Sequence, residues 1–142
     1  MNSEKTILNE LNKGIKMGMD SISNVAEKVQ NKDLKENLQF QYNKYNELLN
    51  VVNNQLSSYG EFPKEVNPML KAMGWMGIQL NTIDNKSDSK ISEMMIQGLN
   101  MGIIEGVKLL NQNPSAKSEV KNILNDFVVF QQDSVEKLKT FL

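Results

Sequence analysis

The chain has 142 residues, about one domain's length, with 17 acidic residues, 16 basic residues that are all Lys, and neither Cys nor His. Without Cys or His there is no disulfide, zinc site, thiolate nucleophile, haem histidine or Ser/His/Asp triad, which leaves Asp, Glu, Lys, Ser, Tyr and Met for any chemistry. A formal charge of -1 gives no electrostatic drive toward nucleic acid or an anionic membrane.

The opening Met1-Asn-Ser-Glu-Lys-Thr carries a helix start with Ser3 as cap, not the basic-then-apolar layout of a secretory peptide, so a cytoplasmic location is expected. Leu8, Leu11, Ile15, Gly18 or Met19, Ile22, Ala26 and Val29 step by three and four, which predicts a first helix over about residues 4 to 30. Asp33-Leu-Lys-Glu36 has the spacing of a capping box, and Leu34, Leu38, Gln41 or Tyr42, Tyr45, Leu48 or Leu49, Val52 and Leu56 carry a second helix to about Ser58. Gly60, Pro63 and Pro68 then break the period, and the apolar piece from Met69 to Ile83 predicts a short helix inside a long connection. Behind the polar cluster from Asp84 to Ser89, Ile91, Met95, Ile96, Leu99, Ile103, Val107 and Leu110 form a stripe ending near Gln112. Asn113-Pro114-Ser115 breaks that helix, with Ser115 as the next cap, and Val120, Leu124, Phe127, Gln131, Ser134, Val135, Leu138 and Phe141 run to the C-terminus. The apolar tracts from Met69 to Leu80 and from Met94 to Leu110 are interrupted by Lys71, Gln79, Gln97, Asn100, Glu105 and Lys108, so neither offers the roughly 20 clean residues of a membrane span.

Four helices of about 25 residues, each about 37 Å long, are thus joined by links of very unequal length. The first and last links are too short for anything but antiparallel hairpins, whereas the middle one is long enough to travel the bundle end to end. The expected architecture is an all-α, ferritin-like four-helix bundle: two antiparallel hairpins joined by a long crossover carrying a short extra helix, one domain over residues 1–142.

Gly14-Ile-Lys-Met-Gly18, Ala26-Glu-Lys-Val29, Asp33-Leu-Lys35 and the piece from Met69 to Gly77 resemble a bacterial ferritin-like family of unknown function, over nearly the whole chain. Di-iron members of that superfamily carry a Glu on each of two helices and a Glu-x-x-His on each of the other two. The resemblance implies that the corresponding segments here are Tyr42-Asn-Lys-Tyr45 and Val129-Phe-Gln-Gln132, with inward positions around Met17 to Met19 and Leu99 to Gly102 on the other helices. Apolar and amide groups in those segments imply the fold without iron storage, peroxidase or oxygenase activity. Ferritin-like families of this appearance in low-GC spore formers, some resembling spore-coat-associated proteins, further imply a stress- or spore-related role.

Several residues invite two readings each. Gly98, Gly102 and Gly106, with Gly14 and Gly18, mark either close approach of packed helices or a groove for a ligand or partner helix. Trp75 either anchors the crossover helix or marks an interface. Gln41, Tyr42, Tyr45 and Gln131 place amides and hydroxyls near the bundle middle, as an interior hydrogen-bond network or a small-ligand site. The nine Met residues fill the core, adapt to an apolar partner, or ligate a soft metal. Glu105, embedded in an apolar run, is the one acid placed to act as a raised-pKa base, and it lacks a positioned partner. The expectation is a non-catalytic protein with no cofactor and no metal, acting through self-association, a dimer above all, or through another protein. A binder of a small apolar ligand in the bundle interior, or a degenerate metal-binding protein, is the alternative.

Overall fold

Four apolar stripes at helical spacing and two short turns fix the architecture. The computed structural model describes residues 2–62 and 87–142, with α1 at Asn2–Ala26, α2 at Lys32–Ser58, α3 at Asp88–Gln112 and α4 at Ser118–Lys139. The expected short helix from Met69 to Ile83, and Trp75 with it, lie outside the described residues.

Local hydrogen bonding moves three boundaries from their expected places. α1 ends at Ala26 rather than near residue 30, because the Lys28 N–H bonds the Val25 carbonyl at 2.9 Å and closes the last turn tightly. Asn31, not Asp33, caps α2: it is extended, at φ -70 and ψ 126, and its side chain accepts the Leu34 N–H. Asp33 falls instead in the first turn, where its charge faces the positive helix end. Ser115 does not cap α4, which starts three residues later behind Lys117, with no side-chain cap bond. Ser3 likewise lies inside α1.

The ends of the helices settle the topology. Lys5 pairs with Glu61 at 3.4 Å, and Asn12 donates to Asn53 at 2.7 Å, so α1 and α2 are antiparallel. The Asp88 carboxylate accepts the N–H groups of Gln30 and Asn31, both at 2.8 Å, which pins the start of α3 to the turn between α1 and α2. Gln55 donates to Glu119 at 2.8 Å and the Lys117 ammonium lies 5.9 Å from the Tyr59 ring centre, so α4 starts where α2 ends. α2 and α3 are therefore parallel, and the chain between them joins opposite ends of the bundle. Helix α1 packs on α2 and α3 on α4, with α2 against α4 and α1 against α3 completing the four sides. This is the two-hairpin, crossover arrangement expected from the link lengths. Ile7, Leu8, Leu11, Leu34, Leu56, Leu124 and Leu138 are fully enclosed between the helices.

The inward face of α3 differs from the hydropathy stripe. Ile91, Met94, Met95, Leu99 and Gly106 are buried, whereas Val107 is exposed and Ile96, Ile103 and Leu110 are only half-buried. Met101 and Ile104 also face outward. Past Leu99 the helix turns glycines inward, and these contribute nothing to a hydropathy count. Among the described residues no helix is long and apolar enough to cross a membrane.

Candidate functional site

Tyr45 on α2 and Gln131 on α4 belong to buried stripes, and each points at a glycine of the hairpin partner. A Cβ on Gly18 of α1 would stand 2.5 Å from Tyr45 Cζ and 2.8 Å from its hydroxyl oxygen. On Gly102 of α3, a Cβ would collide with Gln131 Nε2 and lie 3.0 Å from Cδ. Two large polar side chains thus occupy the space that two glycines leave open. The Tyr45 ring is wedged edge-on against Phe130, centroids 4.9 Å apart at 89°, and tilted against Phe127 at 6.4 Å.

Burial pushes the Tyr45 hydroxyl far above its ordinary value, and a hydrogen bond from the Gln131 amide opposes this only in part. The centre is consequently an uncharged phenol beside an uncharged amide. Gln41 and Tyr42 are held elsewhere. Gln41 is buried and donates to Asn37 at 2.7 Å, with its own Oε1 unpartnered among the described residues, while Tyr42 is half-buried and packs at the core's edge. Of the four residues expected in one interior network, only Tyr45 and Gln131 meet.

The glycines work through side chains, where close backbone approach was one expectation. A Cβ on Gly106 would stand 2.6 Å from Val128 Cγ2, whereas one on Gly14 would sit in ordinary contact, 3.5 Å from the Phe127 ring. Gly14 and Gly18 on α1, with Gly98 and Gly102 on α3, also border a groove between these two helices of about 590 Å³. Met17, Met94, Met95, Leu99 and Met101 line it, and Tyr45, Phe127 and Gln131 reach it from the second layer. Its polar end holds two ion pairs, Glu10 with Lys13 at 3.3 Å and Glu105 with Lys108 at 3.7 Å. Glu105 is therefore not a buried base: its side chain is 71% exposed and paired with Lys108. Asp20, off the α1 stripe, is half-buried, and desolvation holds its carboxyl above its ordinary value. The spaced glycines were the sequence's one pointer to the groove. The Met residues around it gave none, because a thioether at helical spacing looks the same in a core and in a pocket wall.

Gly18, Tyr45, Gly102 and Gln131 lie in the four segments where the resemblance implied metal ligands. A phenol kept protonated, a primary amide and two glycines supply neither carboxylate nor imidazole, so this donor set does not fit a di-iron centre. Among the described residues no three His, Cys, Asp or Glu side chains gather where they could hold a metal ion.

No protein-family model and no curated protein matches the sequence. Solved structures do resemble the fold. A DUF305 fragment from Deinococcus radiodurans superposes with a TM-score of 0.77 at 14% identity, over 99% of this chain and 95% of that one. The bacterioferritin-related dodecameric thioferritin from Bacteroides fragilis superposes at 0.75 with 8% identity, over 97% of this chain and 84% of its own. Identities this low speak for fold alone, and the fold is a ferritin-like four-helix bundle.

Proposed function

We propose that this chain is a non-catalytic, metal-free binding bundle that takes up a small apolar ligand in the groove between α1 and α3. The groove itself carries the reading. Its volume of about 590 Å³ lies within the span of small-molecule sites, and thioethers, aliphatic side chains and glycines form most of its wall around a few polar groups. The absence of proton-transfer chemistry is supported by Glu105, which is exposed and ion-paired, and by Tyr45, which stays protonated across the neutral range. The absence of metal is supported by the donor set described above.

The test is binding of the neutral fluorophore N-phenyl-1-naphthylamine, followed by its emission. Met101 lines the groove yet is 55% exposed, so Met101→Glu puts a charge at the apolar lip without disturbing the core. We expect binding to weaken about tenfold in Met101→Glu, with an unchanged melting temperature. Phe40→Glu, on the outer face of α2, should bind like the wild type. Equal loss in both variants, or no binding by the wild type, contradicts the reading.

Self-association is a second reading, favoured by the outward strip of Met101, Ile104 and Val107 on α3. The thioferritin of similar fold is a dodecamer. Sedimentation equilibrium decides this separately: a mass of twice 16.1 kDa or more that collapses to 16.1 kDa in Ile104→Glu supports it, and a monomeric wild type removes it.

A further inference from the structure

We infer that the occupant of the groove between α1 and α3 is a neutral apolar molecule that presents a hydroxyl group to Gln131 and Tyr45. This rests on the groove reading and specifies the chemical class of its ligand.

Gln131 is 4% exposed, lines the groove, and its Oε1 has no hydrogen-bond partner among the described residues. The amide lies over Gly102, where α3 offers no side chain to cover it. With one N–H of its NH₂ given to the Tyr45 oxygen, the pair leaves the Tyr45 O–H and the second amide N–H as donors and Gln131 Oε1 as an acceptor without a partner. A half-turn of the amide exchanges the roles and leaves both amide N–H groups as donors and the Tyr45 oxygen as an acceptor. Buried polar atoms are nearly always paired, and of the four side-chain atoms without a partner among the described residues only Gln131 Oε1 belongs to a residue that lines the groove.

A hydroxyl group meets an acceptor and a donor of this pair from one atom, because its oxygen accepts while its hydrogen donates. Carboxylates donate nothing, and they would bring charge against a floor where burial already disfavours the charged form of Tyr45. Ammonium groups accept nothing. The rim does not select for charge either: Lys13 and Lys108 are each matched by Glu10 and Glu105. Along the rest of the groove the wall is mostly apolar, with Thr6, Ser21 and Gln112 as its other polar residues, and its α1 side extends from Thr6 to Ser21, about 22 Å at helical rise. The occupant is therefore an elongated alcohol, aliphatic or phenolic.

Displacement of N-phenyl-1-naphthylamine by three matched eight-carbon molecules tests this. Octan-1-ol has the hydroxyl, its isomer 1-methoxyheptane accepts but cannot donate, and octanoate is charged at pH 7.5. In the wild type, octan-1-ol should displace the fluorophore at about one-tenth the concentration that either of the others needs. In Gln131→Met, which keeps an unbranched side chain of similar size, the alcohol's advantage over the ether should fall below about twofold. If that variant does not fold, Tyr45→Phe/Gln131→Met, which strands neither partner, takes its place. Equal displacement by alcohol and ether in the wild type, or an alcohol preference that survives removal of Gln131, overturns the inference and leaves the groove reading standing. Failure of the fluorophore itself to bind overturns the groove reading instead.

Discussion

Gly18→Ala is expected to lower stability by about 1 kcal/mol, and Gly14→Ala, one turn earlier on the same helix, to raise it by about 1 kcal/mol. Both replacements gain the same helix propensity, about 1 kcal/mol for Ala over Gly in a helix interior. They differ only in what the new methyl meets. At Gly14 it meets the Phe127 ring at 3.5 Å, an ordinary van der Waals distance, so the propensity gain is kept. At Gly18 it would stand 2.5 Å from Tyr45 Cζ, and the ring cannot retreat because Phe127 and Phe130 hold it from behind. Overpacking of that kind costs about 1–3 kcal/mol and outweighs the gain. Thermal melts followed by circular dichroism should separate the two variants by about 7 °C for a chain of this length. Equal melting temperatures would mean that the tyrosine is not seated on Gly18.

The second large effect is a coupling between Tyr45 and Gln131. Tyr45→Phe alone leaves both ends of a buried amide without partners, and Gln131→Met alone leaves a buried phenol without one. Each is expected to cost about 1–3 kcal/mol. Together, in Tyr45→Phe/Gln131→Met, no polar atom of the pair remains to be satisfied, so the double variant should lie near the wild type and the coupling energy should be about 2 kcal/mol. Additive losses in denaturant unfolding would show that the two side chains do not form a unit. The pair also has a pH signature. Tyr45 is raised in the folded state, so its contribution is fully present below the ordinary value of 10.0 and is lost as pH rises above it, where the unfolded chain ionises first. Above that point the difference between the wild type and Tyr45→Phe should shrink by about 1.4 kcal/mol per pH unit.

Much of the bundle is legible in the sequence because its helices bury stripes that recur every three or four residues. The link lengths foretell the crossover for the same kind of reason: a connection of a few residues cannot return a chain to the far end. What is not legible follows from the glycines. Hydropathy places the inward face of α3 on Ile103 and Val107, yet the helix turns Gly102 and Gly106 toward α4, where Gln131 and Val128 fill the space above them. Glu105, expected deep in an apolar run, is carried to the surface by that same rotation. Ser115 misled because a cap is chosen by the geometry of a single turn, which composition does not encode. Of the candidate site, Tyr45 and Gln131 are legible as inward polar residues. Their separation from Gln41 and Tyr42 is not, since it depends on the partner each finds across or along its helix.

Methyl-resolved NMR of the protein labelled at its methionine methyl groups and titrated with octan-1-ol is the most direct test of the groove as a binding site. Met17, Met94, Met95 and Met101 line the groove, and Met19, two residues from Met17, provides an internal contrast because it packs against the core outside the groove. The predicted result is saturable shifts at Met17, Met94, Met95 and Met101, with Met19 unmoved. Shifts that bypass these four methyl groups, or none at all, would contradict it.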